Sequence, residues 1–276
     1  MTSAPLPPDA AAPQRETAGQ TLRALAETTR AAGALALSLF RTDLRTWNKQ
    51  NDSPVTEADI AVDRFLKERL TAIDPRCGWL SEETTDTAER LSHRRVWIVD
   101  PIDGTRAFMG GEPDWAVSVA LIEANRPVAA ALYAPVTDEL FLAEAGRGST
   151  LNGTAVAATQ RATLDAAAIS GPGFLLDRVA RHAQVDRRPR VRSLALRLAR
   201  VATGQLDVAL ASANSCDWDI AAADLIVHEA GGRLTDPNDA APTYNKAVPR
   251  HGILICSGRH LHRPMLKVAQ DEFGTS

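Results

Sequence analysis

Val96-Trp97-Ile98-Val99-Asp100-Pro101-Ile102-Asp103-Gly104-Thr105 decides how this chain is read. Val96 to Val99 form a short apolar run rich in β-branched residues, which predicts a buried strand. Proline cannot donate to a sheet ladder, so the strand is expected to stop at Asp100-Pro101. Asp100 and Asp103 then share one tight turn, where both carboxylates can reach the same small volume. Gly104 allows close approach of a ligand to the backbone. Thr105-Arg106-Ala107-Phe108 opens a short helix, whose first N–H groups suit a phosphate. Carboxylates beside an anion site imply a hard divalent cation between them, with Mg²⁺ the natural candidate. The same letters also describe an ordinary surface turn, so the rest of the chain has to choose.

The chain has 276 residues, 45% of them hydrophobic, enough to bury a full core as one large domain or two intimate halves. A net charge of −3 carries no basic footprint, which excludes a nucleic-acid polymer as partner. The 3 cysteines, Cys77, Cys216 and Cys256, form no CxxC pair, arguing against a zinc site and for a reducing compartment. No apolar run is long enough to span a membrane, and no signal-peptide pattern opens the chain. A cytoplasmic protein is expected.

Outward from the central stretch, residues 1–14 are rich in Pro and Ala and read as a disordered lead-in. Leu22, Leu25, Ala26, Ala32, Leu35 and Leu39 fall at helical spacing in a helix from Glu16 to Phe40. After a polar loop, Thr56 is a plausible N-cap for a helix carrying Ile60, Val62, Phe65, Leu66 and Leu70. Asp59, three residues past that cap, serves either the helix start or a hydroxyl and water at a site. Gly78 to Ser81 is a short strand delivering Glu82 and Glu83 at its end. Trp115–Ile122, Val128–Tyr133 and Glu139–Ala143 read as an antiparallel meander. This closes an α+β half over residues 15–155 that would bind metal and phosphate.

Residues 156–276 alternate and form an α/β half that completes the site. Strands are expected at Ala166–Ser170, Val191–Leu194 and Leu206–Ala211, and helices at Phe174–His182, Leu196–Thr203 and Ile220–Ala230. A further strand and a helix from His260 to Gln270 end the chain. Asp219 sits at the opening of the alanine-rich helix, where an acid complements the dipole or ligates a cation.

Four stretches now stand in order: Ser53-Pro-Val-Thr-Glu-Ala-Asp59, Ser81-Glu-Glu-Thr84, Asp100-Pro-Ile-Asp-Gly-Thr105 and Trp218-Asp219-Ile-Ala-Ala. Together they make the chain resemble the inositol monophosphatase superfamily from about Leu22 to the C-terminus. The resemblance implies an αβαβα sandwich, a homodimer, lithium sensitivity and phosphomonoester hydrolysis with two or three Mg²⁺ ions. It makes Glu82, Asp100, the carbonyl of Ile102, Asp103 and Asp219 the metal ligands. Thr105, backed by Asp59, would position the attacking water, with Glu82 counted in the catalytic set. Gly104 and Thr105 would bind phosphate, and Lys49, Arg192 and Ser193 would line the substrate pocket.

Superfamily members acting on inositol phosphates carry a glutamate shortly before Trp-Asp, whereas Ala209-Leu-Ala-Ser-Ala-Asn214 holds no acid. The Asp100-Pro-Ile-Asp-Gly-Thr-Arg-Ala-Phe108 run and Ser81-Glu-Glu-Thr84 resemble bacterial 3'(2'),5'-bisphosphate nucleotidases, which release the 3'-phosphate of adenosine 3',5'-bisphosphate, and histidinol-phosphate phosphatases share the Thr-Arg-Ala-Phe ending. Inositol-1-phosphate and histidinol-phosphate phosphatases are the alternatives within the superfamily. A metal-binding regulatory protein without turnover is the alternative from another class. Arg192 is either a fork for a second phosphate or a surface arginine in a run with Arg187, Arg188 and Arg190.

Overall fold

The computed structural model describes residues 12–48 and 54–273. Helix α1 (Ala12–Leu39) leads the chain, so residues 12–14 are helical and not part of an unstructured lead-in. Residues 1–11 lie outside the described residues, as does Lys49. Strands β1 (Thr46–Asn48) and β2 (Pro54–Thr56) pair antiparallel and hand the chain to α2 (Glu57–Ile73). Thr56 caps α2 as its chemistry predicts, its Oγ1 accepting from the Ala58 amide at 3.1 Å.

A seven-stranded sheet follows, with β3 (Gly78–Ser81), β4 (Arg95–Asp103), β5 (Ala116–Glu123), β6 (Arg126–Ala134), β7 (Glu139–Glu144), β8 (Ser149–Leu151) and β9 (Thr154–Ala155) adjacent in that order. Only β3 and β4 are parallel; the rest is a meander, as its turns forecast. Helix α3 (Thr105–Met109) sits at the end of β4. The β4 strand does not stop at Pro101. Its pairing with β5 shifts register between Asp100 and Asp103 and resumes at Asp103↔Ala116. A bulge is how a ladder tolerates a residue without an N–H.

The second half supplies β10 (Ala168–Ser170), α4 (Gly173–Val179), β11 (Asp186–Arg187), α5 (Leu194–Ala202), β12 (Val208–Ala211), α6 (Asp217–Glu229), β13 (Gly232–Thr235), β14 (Leu254–Gly258) and α7 (Arg259–Phe273). Its strands form a five-stranded sheet in the order β11-β10-β12-β14-β13. The strand expected at Val191–Leu194 is absent. Ser193 there caps α5, its Oγ accepting from the Leu196 amide at 3.0 Å. A capping serine outweighs three residues of alternation.

Period-2 alternation makes the layers. Along β4, Trp97 and Val99 pack against α1 and α2, while Val96 and Ile98 face α5 and α6. Along β12, Ala209 and Ala211 face α5 and α6, while Val208 and Leu210 pack against α4 and α7. The result is an αβαβα sandwich with α5 and α6 between the sheets. Helix α6 is buried nearly all round, and Ala221, Ala222 and Ala223 keep it slim enough for that slot. Among the described residues, no helix is long and apolar enough to cross a membrane.

Candidate active site

The site grows from the bulge in β4. Asp100 Oδ1 accepts from the Ile102 amide at 3.1 Å, which folds the backbone back on itself. Gly104 follows with φ 96°, and a Cβ there would stand 2.8 Å from the Asp114 carbonyl, so only glycine fits. Thr105 then turns its Oγ1 to within 3.2 Å of the Ile102 carbonyl and 3.4 Å of Asp59 Oδ1. Asp59 also serves the start of α2, its Oδ2 accepting from the Thr56 amide at 2.7 Å. Asp59 thus meets the helix start and the Thr105 hydroxyl with different oxygens.

Asp103 is grasped from the second half. The Ser193 hydroxyl donates to Oδ2 at 2.5 Å, the Ala195 amide to Oδ2 at 2.6 Å and the Leu194 amide to Oδ1 at 3.2 Å. The start of α5 therefore aims this carboxylate. Asp219, in the first turn of α6, has Oδ2 fixed by the Cys216 amide at 2.6 Å. Carboxylate oxygens of Asp100, Asp103 and Asp219 all lie within 4.8 Å of one another. Glu82, leaving β3, lines the same cleft of about 200 Å³ together with these three acids, Gly104 and Thr105.

Crowding and burial disfavour charge here. Burial, then Glu82, Asp103 and Asp219, hold Asp100 well above the usual carboxylate range. Burial and the neighbouring Asp103 do the same to Asp219. Burial lifts Asp103 to about 6, against the opposing hydrogen bonds from Ser193, Ala195 and Leu194. Oxygen donors gathered this tightly are a poor arrangement for bare anions and a fitting one for hard divalent cations.

The inositol monophosphatase family model matches residues 19–272. The chain belongs to this family. It is 37% identical over 198 residues to inositol monophosphatase 2 of Solanum lycopersicum, covering 67% of this chain and 75% of that one. It is 36% identical over 230 residues to histidinol-phosphatase of Mycobacterium tuberculosis, covering 77% and 85%. It is 29% identical over 242 residues to the 3'(2'),5'-bisphosphate nucleotidase CysQ of Aggregatibacter actinomycetemcomitans, covering 82% and 87%. The crystal structure of extragenic suppressor protein suhB from Bartonella henselae superposes with a TM-score of 0.81 at 28% identity, over 90% of this chain and 98% of that one. As an inositol monophosphatase family member the chain is a phosphatase, a phosphoric monoester hydrolase of a metal-dependent kind.

Within this family member the expected residues divide. Glu82, Asp100, Ile102, Asp103, Gly104, Thr105, Asp59 and Asp219 come together. Ser193, expected at the substrate, instead has its hydroxyl committed to Asp103 and to the α5 cap. Arg192 lines the cleft, but its guanidinium grips Glu112 at 2.6 and 3.2 Å. Arg106 and Arg190, neither of them singled out from sequence, also line it.

Sequence reasoning missed Asp217 as well. Its fully buried carboxylate receives the Asn245 amide at 2.7 Å and lies 2.7 Å from His251 Nε2, pinning the 245–251 loop against the start of α6. An acid next to Trp218-Asp219 was the available signal.

Proposed function

We propose that this phosphatase removes the 3'-phosphate from a nucleoside 3',5'-bisphosphate, adenosine 3',5'-bisphosphate above all. The observation that carries the hydrolytic part is the convergence of Asp100, Asp103 and Asp219 beside Thr105. Glu82, Asp100, the Ile102 carbonyl, Asp103 and Asp219 are the groups to hold two or three Mg²⁺ ions. Ions held there would supply charge neutralisation of the phosphate dianion, acidification of water and stabilisation of the leaving oxygen. Thr105 Oγ1 has one proton and two acceptors, Ile102 O and Asp59 Oδ1, so its lone pairs remain to orient the attacking water. Gly104 and Thr105 line the cleft, where their amides would bind the phosphate, and positioning and charge stabilisation would carry the reaction. Lithium inhibition is expected of the same acid cage.

The nucleotide preference is supported by the stretch from Val208 to Asn214, which brings no acid to the cleft for a polyol ring, and by the similarity to the nucleotidase CysQ. The relatives named inositol monophosphatase and histidinol-phosphatase keep those substrates as second readings. Against a regulator without turnover stands the Thr105–Asp59 contact, which a merely metal-binding protein does not need. A cytoplasmic homodimer completes the proposal, on the free cysteines Cys77, Cys216 and Cys256 and on the family membership; light scattering tests the assembly.

The test is Mg²⁺-dependent phosphate release from adenosine 3',5'-bisphosphate, inositol 1-phosphate, histidinol phosphate and fructose 1,6-bisphosphate. At least tenfold higher kcat/KM on the nucleotide is expected. Equal rates on all of them leave a general phosphatase, and no release at all removes the enzymatic reading.

A further inference from the structure

Three arginines line the cleft around the acids, Arg106, Arg190 and Arg192. Arg192 is neutralised by its two bonds to Glu112. Arg190 is exposed and has no carboxylate partner among the described residues. Its positive charge instead repels the buried Arg197, whose guanidinium falls to about 10, first through burial and then despite the Asp103 charge. An arginine that lines the cleft without a salt bridge of its own among the described residues is available to an anion that enters from solvent.

The backbone around Arg190 is anchored on both sides. The Pro189 carbonyl accepts from Ser170 Oγ at 3.1 Å, and the Val191 carbonyl from Arg197 at 2.9 Å. Two residues further on, the Ser193 amide donates to the Asp114 carbonyl at 3.1 Å, while its hydroxyl holds Asp103. The segment carrying Arg190 is thereby braced against the carboxylate cage itself. Such bracing fixes where the Arg190 backbone stands relative to the carboxylates, and leaves its side chain to reach into the cleft.

We infer that Arg190 reads a second anionic group of the substrate, the one that stays on the alcohol after the scissile phosphate leaves. This inference rests on the proposed nucleotidase reading and specifies it: Arg190, not the Glu112-bound Arg192, holds the 5'-phosphate of a nucleoside 3',5'-bisphosphate. Hydrolysis forms a bond from water oxygen to the 3'-phosphorus and breaks the bond to O3', which takes up a proton. The group on Arg190 is untouched, and the product, adenosine 5'-phosphate, retains it.

The experiment compares KM for adenosine 3',5'-bisphosphate and adenosine 3'-phosphate in the wild type, Arg190→Gln and Arg190→Lys. Binding of adenosine 5'-phosphate is followed by calorimetry. The wild type should show the lower KM for the bisphosphate. In Arg190→Gln the ratio of the two KM values should collapse toward one, with product affinity falling about tenfold, as expected for a lost charge-assisted bond. Arg190→Lys should restore part of both, while kcat moves little. A wild type indifferent to the second phosphate overturns both this inference and the nucleotidase reading. A wild type that discriminates, with Arg190→Gln discriminating equally well, overturns the inference alone.

Discussion

The Ser193 hydroxyl donates to Asp103 Oδ2 at 2.5 Å across 90 positions of sequence. A cap residue of one half thus orients a carboxylate of the acid cluster that the other half supplies. Removing such a supporting hydrogen bond costs roughly 10–100-fold in metal affinity, and losing a serine cap about 1 kcal/mol of stability. Ser193→Ala should show both, by Mg²⁺ titration of activity and by thermal unfolding. Unchanged Mg²⁺ affinity would return Ser193 to capping alone.

Replacing the carboxylate itself should be harsher. Asp103→Asn keeps the shape but removes a ligand charge, and activity should fall by about 10³-fold or more, consistent with the loss of several kcal/mol of charge stabilisation. Calorimetric Mg²⁺ binding should weaken in parallel. Near-normal binding would mean that Asp103 is not a ligand.

Thr105 lies beside the cage, its hydroxyl 3.4 Å from Asp59 Oδ1. Thr105→Ala should lower kcat by about 10²–10⁴-fold, the range for losing a proton-handling group, while Mg²⁺ affinity changes little. Thr105→Ser should recover most of the rate. Matching losses of metal binding and rate would give the residue a structural role.

Asp217 shares the first turn of α6 with Asp219, and its Oδ1 lies 2.7 Å from His251 Nε2. His251→Ala deprives a fully buried carboxylate of one partner, at a cost of about 1–3 kcal/mol. It should also weaken Mg²⁺ binding by loosening the first turn of α6. Urea denaturation and calorimetry check the two effects separately.

His262 offers a pH test away from the site. Its ring is buried between Thr235 Oγ1 and Ser257 Oγ, each at 2.9 Å, and burial, helped by Arg233 and opposed by Asp239, lowers it from 6.5 to about 4. Because the folded state binds this proton less readily than the unfolded chain, the group's contribution is complete above pH 6.5 and lost as pH falls toward 4. At pH 5 the loss should be about 2 kcal/mol relative to pH 7. Urea unfolding of the wild type should show it, and His262→Asn should flatten the profile over that window.

The cage acids were legible through the family resemblance of their motifs, since position alone, Glu82 after a strand or Asp219 in a helix's first turn, fits a surface acid or a dipole partner equally well. The burial of β4 was legible in its unbroken apolar run, which announces a strand covered on both faces, whereas the full layering came from the family resemblance. What escaped notice depends on partners far along the chain. The destination of Ser193's hydroxyl is set by the packing of α5 on the β4 bulge, and Arg192's by Glu112 on another loop. Pro101 argued locally for a strand end, but the flanking residues pair so extensively with β5 that the ladder absorbs the gap. Asp59 read as a choice between two duties because sequence cannot show that its two oxygens point different ways.

The braid of Asp59, Glu82, the β4 bulge and Asp219 also has a kinetic side. These groups meet only when both sheets have closed on α5 and α6, so no early folding species can offer the divalent ion a full coordination shell. Ligands that recognise the finished fold and not its precursors pull the equilibrium forward by mass action. Magnesium should therefore act chiefly as a lock on the completed molecule, slowing its unfolding far more than it hastens its refolding.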